Sequence, residues 1–143
     1  VAASHFIGDG DKRDLYEKEC KMLQLPATFH GFLERNLVFE IYKKSHFILL
    51  PSNSEGFPKV IAEAMNYGCI PIVSDVSSIG QYINGDNGYL LTASNGFKLN
   101  GVLREAIHET ESLLAKKASA CFAMASYFTF NRYRKKLKSD IIN

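Results

Sequence analysis

The sequence has no long apolar stretch: its greasiest run, 47–50, is broken within a few positions by polar groups, so no membrane-spanning helix is predicted and a soluble chain is expected. Position 1 is not methionine, and the opening VAASHFIG lacks the basic start and apolar core of a secretory signal. The expectation is a chain cut or processed from a longer one. Three cysteines, Cys20, Cys69 and Cys121, stand too far apart for a disulfide framework or a paired zinc motif. A reducing, cytoplasmic setting follows. Charge of one sign is scarce too: the net charge is +2, too small to argue for nucleic acid, and most of the excess sits in RYRKKLK near the end. No internal repeat or low-complexity linker is visible. His5, His30, His46 and His108 are scattered, and Asp9, Asp11 and Asp14 alternate with Lys12 and Arg13 as on a solvated helix start. No metal cluster is expected, because such sites need ligands gathered in threes or fours.

What is present is a 143-residue chain with 46% hydrophobic side chains, enough for one compact domain with a core. Short apolar runs alternate with longer segments of mixed charge, the signature of strands and helices in turn. Strands are predicted at 4–7, 27–30, 46–50, 70–73 and 89–91, and helices at 12–23, 36–44 and 58–67. A helical turn at 78–83 and the turn-rich NGDNG at 84–88 precede the last strand, and helices dominate from there to the end. The continuous apolar run at 46–50 suits a sheet buried on both faces. This order implies a doubly wound α/β domain with a parallel sheet, helices on both faces and a helical tail.

In open sheets of this kind ligands bind beyond the carboxyl ends of the strands. Three loops lie there: Gly8-Asp9-Gly10, Gly31-Phe32 and the segment 52–57, SNSEGF. In the third, Gly56 gives the turn freedom and Pro58 suits a first helical position. Phe57 then falls at the cap, where its ring cannot accept from the first amides. Lys59 in the first turn opposes the helix dipole unless an anion sits there. Two readings stand equal: an anion site, or a helix capped by Ser54 or Asn53 with Lys59 in water. Val60, Ile61, Ala64 and Met65 form an apolar stripe, with Glu63 on the side of Lys59 and Asn66. Glu63 is then either a surface partner of Lys59 or an acceptor for the vicinal hydroxyls of a ribose.

The residues PSNSEGFPKVIAEAM, then NYGCIPIVSDV and INGDNGYLL, closely resemble the C-terminal domain of family 4 retaining glycosyltransferases. Pro-Ser at a strand end, the Glu-x7-Glu spacing of Glu55 and Glu63, a Glu-Ala-Met helix and a later Asn-Gly recur in order. The resemblance reaches back to HFIGDGD and FHGF and forward to the tail containing ASYFTFNRY.

The resemblance implies one Rossmann-like half of a GT-B enzyme, the half that binds a nucleotide-sugar donor. Glu63 would hold the ribose and Glu55 would lie by the transferred sugar as the catalytic carboxylate. Gly56, Phe57, Pro58, Lys59 and Val60 would contact sugar and phosphate through the backbone, and Gly31, Phe32, Gly8 and Gly10 would line the base side of the cleft. The implied reaction is sugar transfer to an acceptor hydroxyl with retention and no essential metal or cofactor, in polysaccharide or glycoconjugate synthesis. Many relatives read Glu-Gly-Phe-Gly where this chain has Pro58, which removes one amide. An Arg and a Lys that relatives set against the diphosphate belong to a unit upstream of this sequence, so weak donor binding and no transfer are expected of this segment alone. The missing partner is then an N-terminal acceptor domain. Competing readings are a sugar-nucleotide epimerase, a sugar-phosphate synthase and a non-catalytic binding module. A receiver domain is disfavoured because Pro51-Ser52 stands where a phosphorylatable Asp belongs. The basic tail of Arg132, Arg134, Lys135, Lys136 and Lys138 reads as a solvated face or as a contact with anionic lipid at the inner face of a membrane.

Overall fold

The computed structural model describes residues 3–54, 56–92 and 98–140. It divides into two compact units, Val1–Ile41 and Tyr42–Asn143.

In the first unit, β1 (Ser4–Phe6) pairs in parallel with β2 (Ala27–Phe29), setting His5 opposite Thr28 and Phe6 opposite Phe29. The rings of Phe6 and Phe29 stack 4.4 Å apart. The crossover is α1 (Arg13–Met22), whose mixed charge leaves no residue of it buried. Arg13 ties its start to the strands: Nε donates to Glu17 at 2.8 Å, Nη2 donates to the Phe29 carbonyl at 3.3 Å, and Nη1 lies 3.6 Å from Asp9. Next comes α2 (Arg35–Tyr42).

In the second unit, β3 (Phe47–Leu50), β4 (Ile70–Ser74) and β5 (Tyr89–Leu91) form a parallel sheet in that order. Parallel pairing was expected for every strand, and every described pair is parallel. The expectation that 46–50 is buried on both faces fails, since Leu49 is 45% exposed. The strand buried throughout is β4, because it alone of the three has a neighbour on either side. α3 (Lys59–Met65) packs against β4, α4 (Leu99–His108) against β5, and α5 (Glu111–Ala125) against β4. Their contributions are Ile61 and Met65, Val102 and Ala106, Cys121 and Ala125, which join Ile72, Val73, Ile79, Ile83 and Leu91 in one core. Each large aliphatic side chain fully withdrawn there contributes about 1.5–3 kcal/mol. Gly68, at φ +81°, closes α3 in a conformation that other residues resist. Thr110 caps α5, accepting from the Leu113 amide at 3.4 Å. A 3₁₀ turn at Ser126–Phe128 leads into α6 (Phe130–Asp140). Among the described residues no helix is long and apolar enough to cross a membrane.

Candidate functional site

The carboxyl ends of β3, β4 and β5 open on a cavity of about 270 Å³. Pro51, Ser52 and Asn53 reach it from β3, Ser74 and Val76 from β4, and Leu91 from β5, with Leu99 of α4 closing one side. A larger cavity of about 320 Å³ lies in the first unit between α1 and β2. It is lined by none of the residues to which the sequence assigned a ligand-binding role, whereas the smaller one borders the SNSEGF segment. The smaller cavity is therefore the candidate site. Ser74, Val76 and Leu91 were missed from the sequence, although they end strands just as Pro51 does. The rule that pointed to the loop after β3 points equally to those after β4 and β5.

Glu55 lies outside the described residues. Beyond it, Gly56 is exposed and Phe57 and Pro58 are half-buried. The helix starts one residue later than expected: Pro58, with φ −67° and ψ 124°, is the cap rather than the first helical residue, and Lys59 opens α3. The ring fixes φ at a value compatible with either position, and the extended ψ decides between them. Pro58 offers no side chain to accept a hydrogen bond, and no side-chain cap forms. The first helix-like bond there runs from the Ile61 amide to the Pro58 carbonyl at 3.0 Å.

Ile61, Ala64 and Met65 are fully buried, as their spacing predicts, but Val60 is 41% exposed and leaves the expected stripe. Glu63 is half-buried, and its charge acts on Tyr42. Burial first, and that carboxylate second, push the Tyr42 phenol up to about 12. Phe57 packs face to face on Phe128 at 4.3 Å and edge-on against Tyr82 at 5.0 Å. The sequence held no signal for these partners.

In the first unit, the two glycines singled out at strand ends meet. Gly8 donates to the Gly31 carbonyl at 2.8 Å, and both take positive φ, +113° and +68°. A Cβ on Gly31 would stand 2.8 Å from Nη1 of Arg13. Phe32 is 83% exposed, and the space around Gly10 is open. The histidines are not all scattered: Nδ1 of His5 and Nε2 of His30 are 3.0 Å apart, sharing a hydrogen bond across the β1–β2 edge.

The turn after the 3₁₀ segment 79–81 is held by its own side chains. Asn87 accepts from the Asn84 amide at 2.9 Å and donates to the Tyr82 carbonyl at 2.8 Å, while Asn84 accepts from the Asp86 amide. Gly88 is pinched against Ile83 and Pro71, where a Cβ would come within 2.7 Å of a methyl and 2.9 Å of a carbonyl oxygen.

Parallel strands flanked by helices, with the crevice at the strands' carboxyl ends, define a Rossmann-like α/β fold of the kind that makes up half of a GT-B protein. The chain belongs to the glycosyl transferases group 1, whose family model matches residues 2–120. It is 29% identical over 119 residues to the sulfoquinovosyl transferase SQD2 of Arabidopsis thaliana, a match covering 79% of this chain and 23% of that protein. Among solved structures it resembles the lipopolysaccharide outer core galactosyltransferase WaaB, with a TM-score of 0.76 and 26% identity over 96% of this chain and 40% of that one. It also resembles Anabaena Alr3699/HepE in complex with UDP-glucose, with a TM-score of 0.75 and 21% identity over 98% of this chain and 40% of that one. The chain thus spans about a quarter to two-fifths of these relatives' length.

Proposed function

We propose that this chain supplies the donor-binding wall of a retaining glycosyltransferase, which moves a hexosyl group from a nucleotide-sugar to an acceptor hydroxyl in polysaccharide or glycoconjugate synthesis. The observation that supports the reading is that the residues leaving β3, Pro51, Ser52 and Asn53, line a cavity bordered by the ends of all three strands, on the connection that leads to α3 and Glu63. Glu55 is assigned to the transferred sugar. Gly56, Phe57, Pro58, Lys59 and Val60 are assigned to sugar and phosphate, largely through backbone groups, and Glu63 to the ribose hydroxyls. In the first unit, Gly31, Phe32, Gly8 and Gly10 are assigned to the base.

A diphosphate leaving group develops negative charge as the glycosidic bond breaks, and its stabilisation needs fixed donors and cations. Lys59 is the cation this segment offers, exposed at the head of α3. Further cations, and the acceptor site, are assigned to parts of the protein that its longer relatives possess. The reaction is proposed to need no metal and to take place in the cytoplasm, facing a membrane-bound acceptor.

Titration calorimetry with UDP, ADP and GDP and their sugars tests the donor assignment. Glu63→Ala is expected to weaken the preferred nucleotide about 10-fold or more, the loss of a charge-assisted hydrogen bond, with little change in melting temperature. Unchanged affinity refutes the ribose role. With the full-length protein, an epimerised sugar and no glycoside would overturn the transferase reading.

A further inference from the structure

Three rings from distant parts of the second unit close on one another. Phe57 lies in the segment between β3 and α3, Tyr82 follows the 3₁₀ segment Ile79–Gln81, and Phe128 ends the 3₁₀ turn that leads out of α5. Phe57 and Phe128 stack at 4.3 Å with planes 7° apart. Tyr82 meets both edge-on at 5.0 Å, at 68° to Phe57 and 64° to Phe128. Each pair has the geometry that the ring quadrupole favours.

We infer that Phe128 and Tyr82 are positioning residues that hold the donor loop through Phe57. The inference rests on the donor assignment above and adds a part of the chain which that assignment does not use, the helical tail. Pro58 contributes a fixed φ on one side of Phe57, but on the other side stand Gly56 and the exposed Asn53 and Ser54, which supply little packing of their own. A Cβ on Gly56 would meet nothing within 4 Å, and among the described residues of 53–57 Phe57 is the half-buried one, its ring packed on two rings of the unit. A loop free to wander would have to be ordered each time a nucleotide bound, and an anchored one is ordered in advance.

Plain core packing makes a different forecast. It asks only for apolar volume at position 128, whereas a stacked anchor asks for a ring. The test therefore compares Phe128→Ala, Phe128→Leu and Phe128→Tyr in the full 143-residue chain, with Tyr82→Leu as a second lesion should the first fail to fold. Two readouts are taken: UDP affinity by calorimetry, and hydrogen exchange of the amides at 52–60 compared with those of β4. Phe128→Ala, Phe128→Leu and Tyr82→Leu are expected to speed exchange at 52–60 while β4 stays protected, and to weaken UDP about three- to tenfold. Phe128→Tyr is expected to restore both. Exchange at 52–60 that is unchanged by losing the ring overturns the inference, and so does full rescue by leucine. If the unaltered chain takes up none of UDP, ADP and GDP at millimolar concentration, the donor assignment falls, and the exchange comparison decides the positioning role by itself.

Discussion

Lys117 of α5 lies under the ring of Tyr89, its ammonium 4.7 Å from the ring centre. The same ammonium donates to the Gly85 carbonyl and stands 3.8 Å from the Glu109 carboxylate, which in turn accepts from the Tyr89 hydroxyl. A buried cation is tolerated there because a π-face, a carbonyl and a carboxylate together replace its water. Replacing Lys117 by methionine keeps the stem and removes the charge. The expected result is a loss of about 1–3 kcal/mol, read as a lower urea midpoint at unchanged slope.

Burial raises the pKa of Cys69 to about 11 and of Cys121 to about 12, and that of Tyr42 to about 12 with help from Glu63. The folded state thus holds these protons after the unfolded chain has released them, at about 8.5 for a thiol and about 10 for a phenol. Their contribution is complete below the unfolded values and is lost as pH climbs through the folded ones. Urea unfolding is expected to give a flat stability up to about pH 8 and a fall from there to about pH 12. Cys69→Ala should soften the early part of that fall, and an unaltered curve would contradict the assignment.

Thiol accessibility gives an independent check. Cys20 is part-exposed, while Cys69 and Cys121 are buried and donate to carbonyls of Tyr42, Ser45 and Asn87. A thiol reagent at neutral pH is expected to label Cys20 promptly and the other two only as the protein unfolds.

Two glycines of one turn should respond unequally to the same change. Gly88→Ala forces a methyl against Pro71 and Ile83 and is expected to cost about 1–3 kcal/mol. Gly85→Ala meets nothing within 4 Å and should stay within about 0.5 kcal/mol of the parent. Thermal melts of the two variants decide it.

The exposed cations of α6, Arg132, Arg134, Lys135, Lys136 and Lys138, share that helix with Phe130, which is 76% exposed. If a membrane-bound acceptor is served, the chain should sediment with vesicles rich in anionic lipid, release as salt rises, and lose binding when Lys135, Lys136 and Lys138 become glutamine. Binding indifferent to those three changes would remove α6 from the proposal.

Much of this fold was legible because its signals are local. The apolar face of α3 at Ile61, Ala64 and Met65 and the glycine that ends it can be read in a window of ten residues. Pro58 misled by one position, since φ alone does not separate a cap from a first helical residue and ψ is not written in the sequence. Leu49 misled because a continuous apolar run says nothing about which strand lies in the middle of a sheet. The pairing of His5 with His30 needed the register of β1 on β2, and the rings around Phe57 needed a tail far along the chain. The loop that borders the cavity through Ser52 and Asn53 was legible in the sequence, and the strand-end residues Ser74, Val76 and Leu91 and the rings packed on Phe57 were not.

The turn at 84–88 also bears on how this protein ages. An Asn-Gly pair degrades when the glycine nitrogen attacks the asparagine side chain, a reaction that requires the amide to swing freely onto the backbone. Asn87, 3% exposed and bonded at both ends of its amide, has no such freedom, and the Gly88 nitrogen already donates to Asn84. Asn84 faces solvent, its side-chain oxygen accepting from the Asp86 amide. Of these two pairs, Asn84-Gly85 is the one that storage will convert to aspartate first, and the added charge will arrive next to the carbonyl that Lys117 holds.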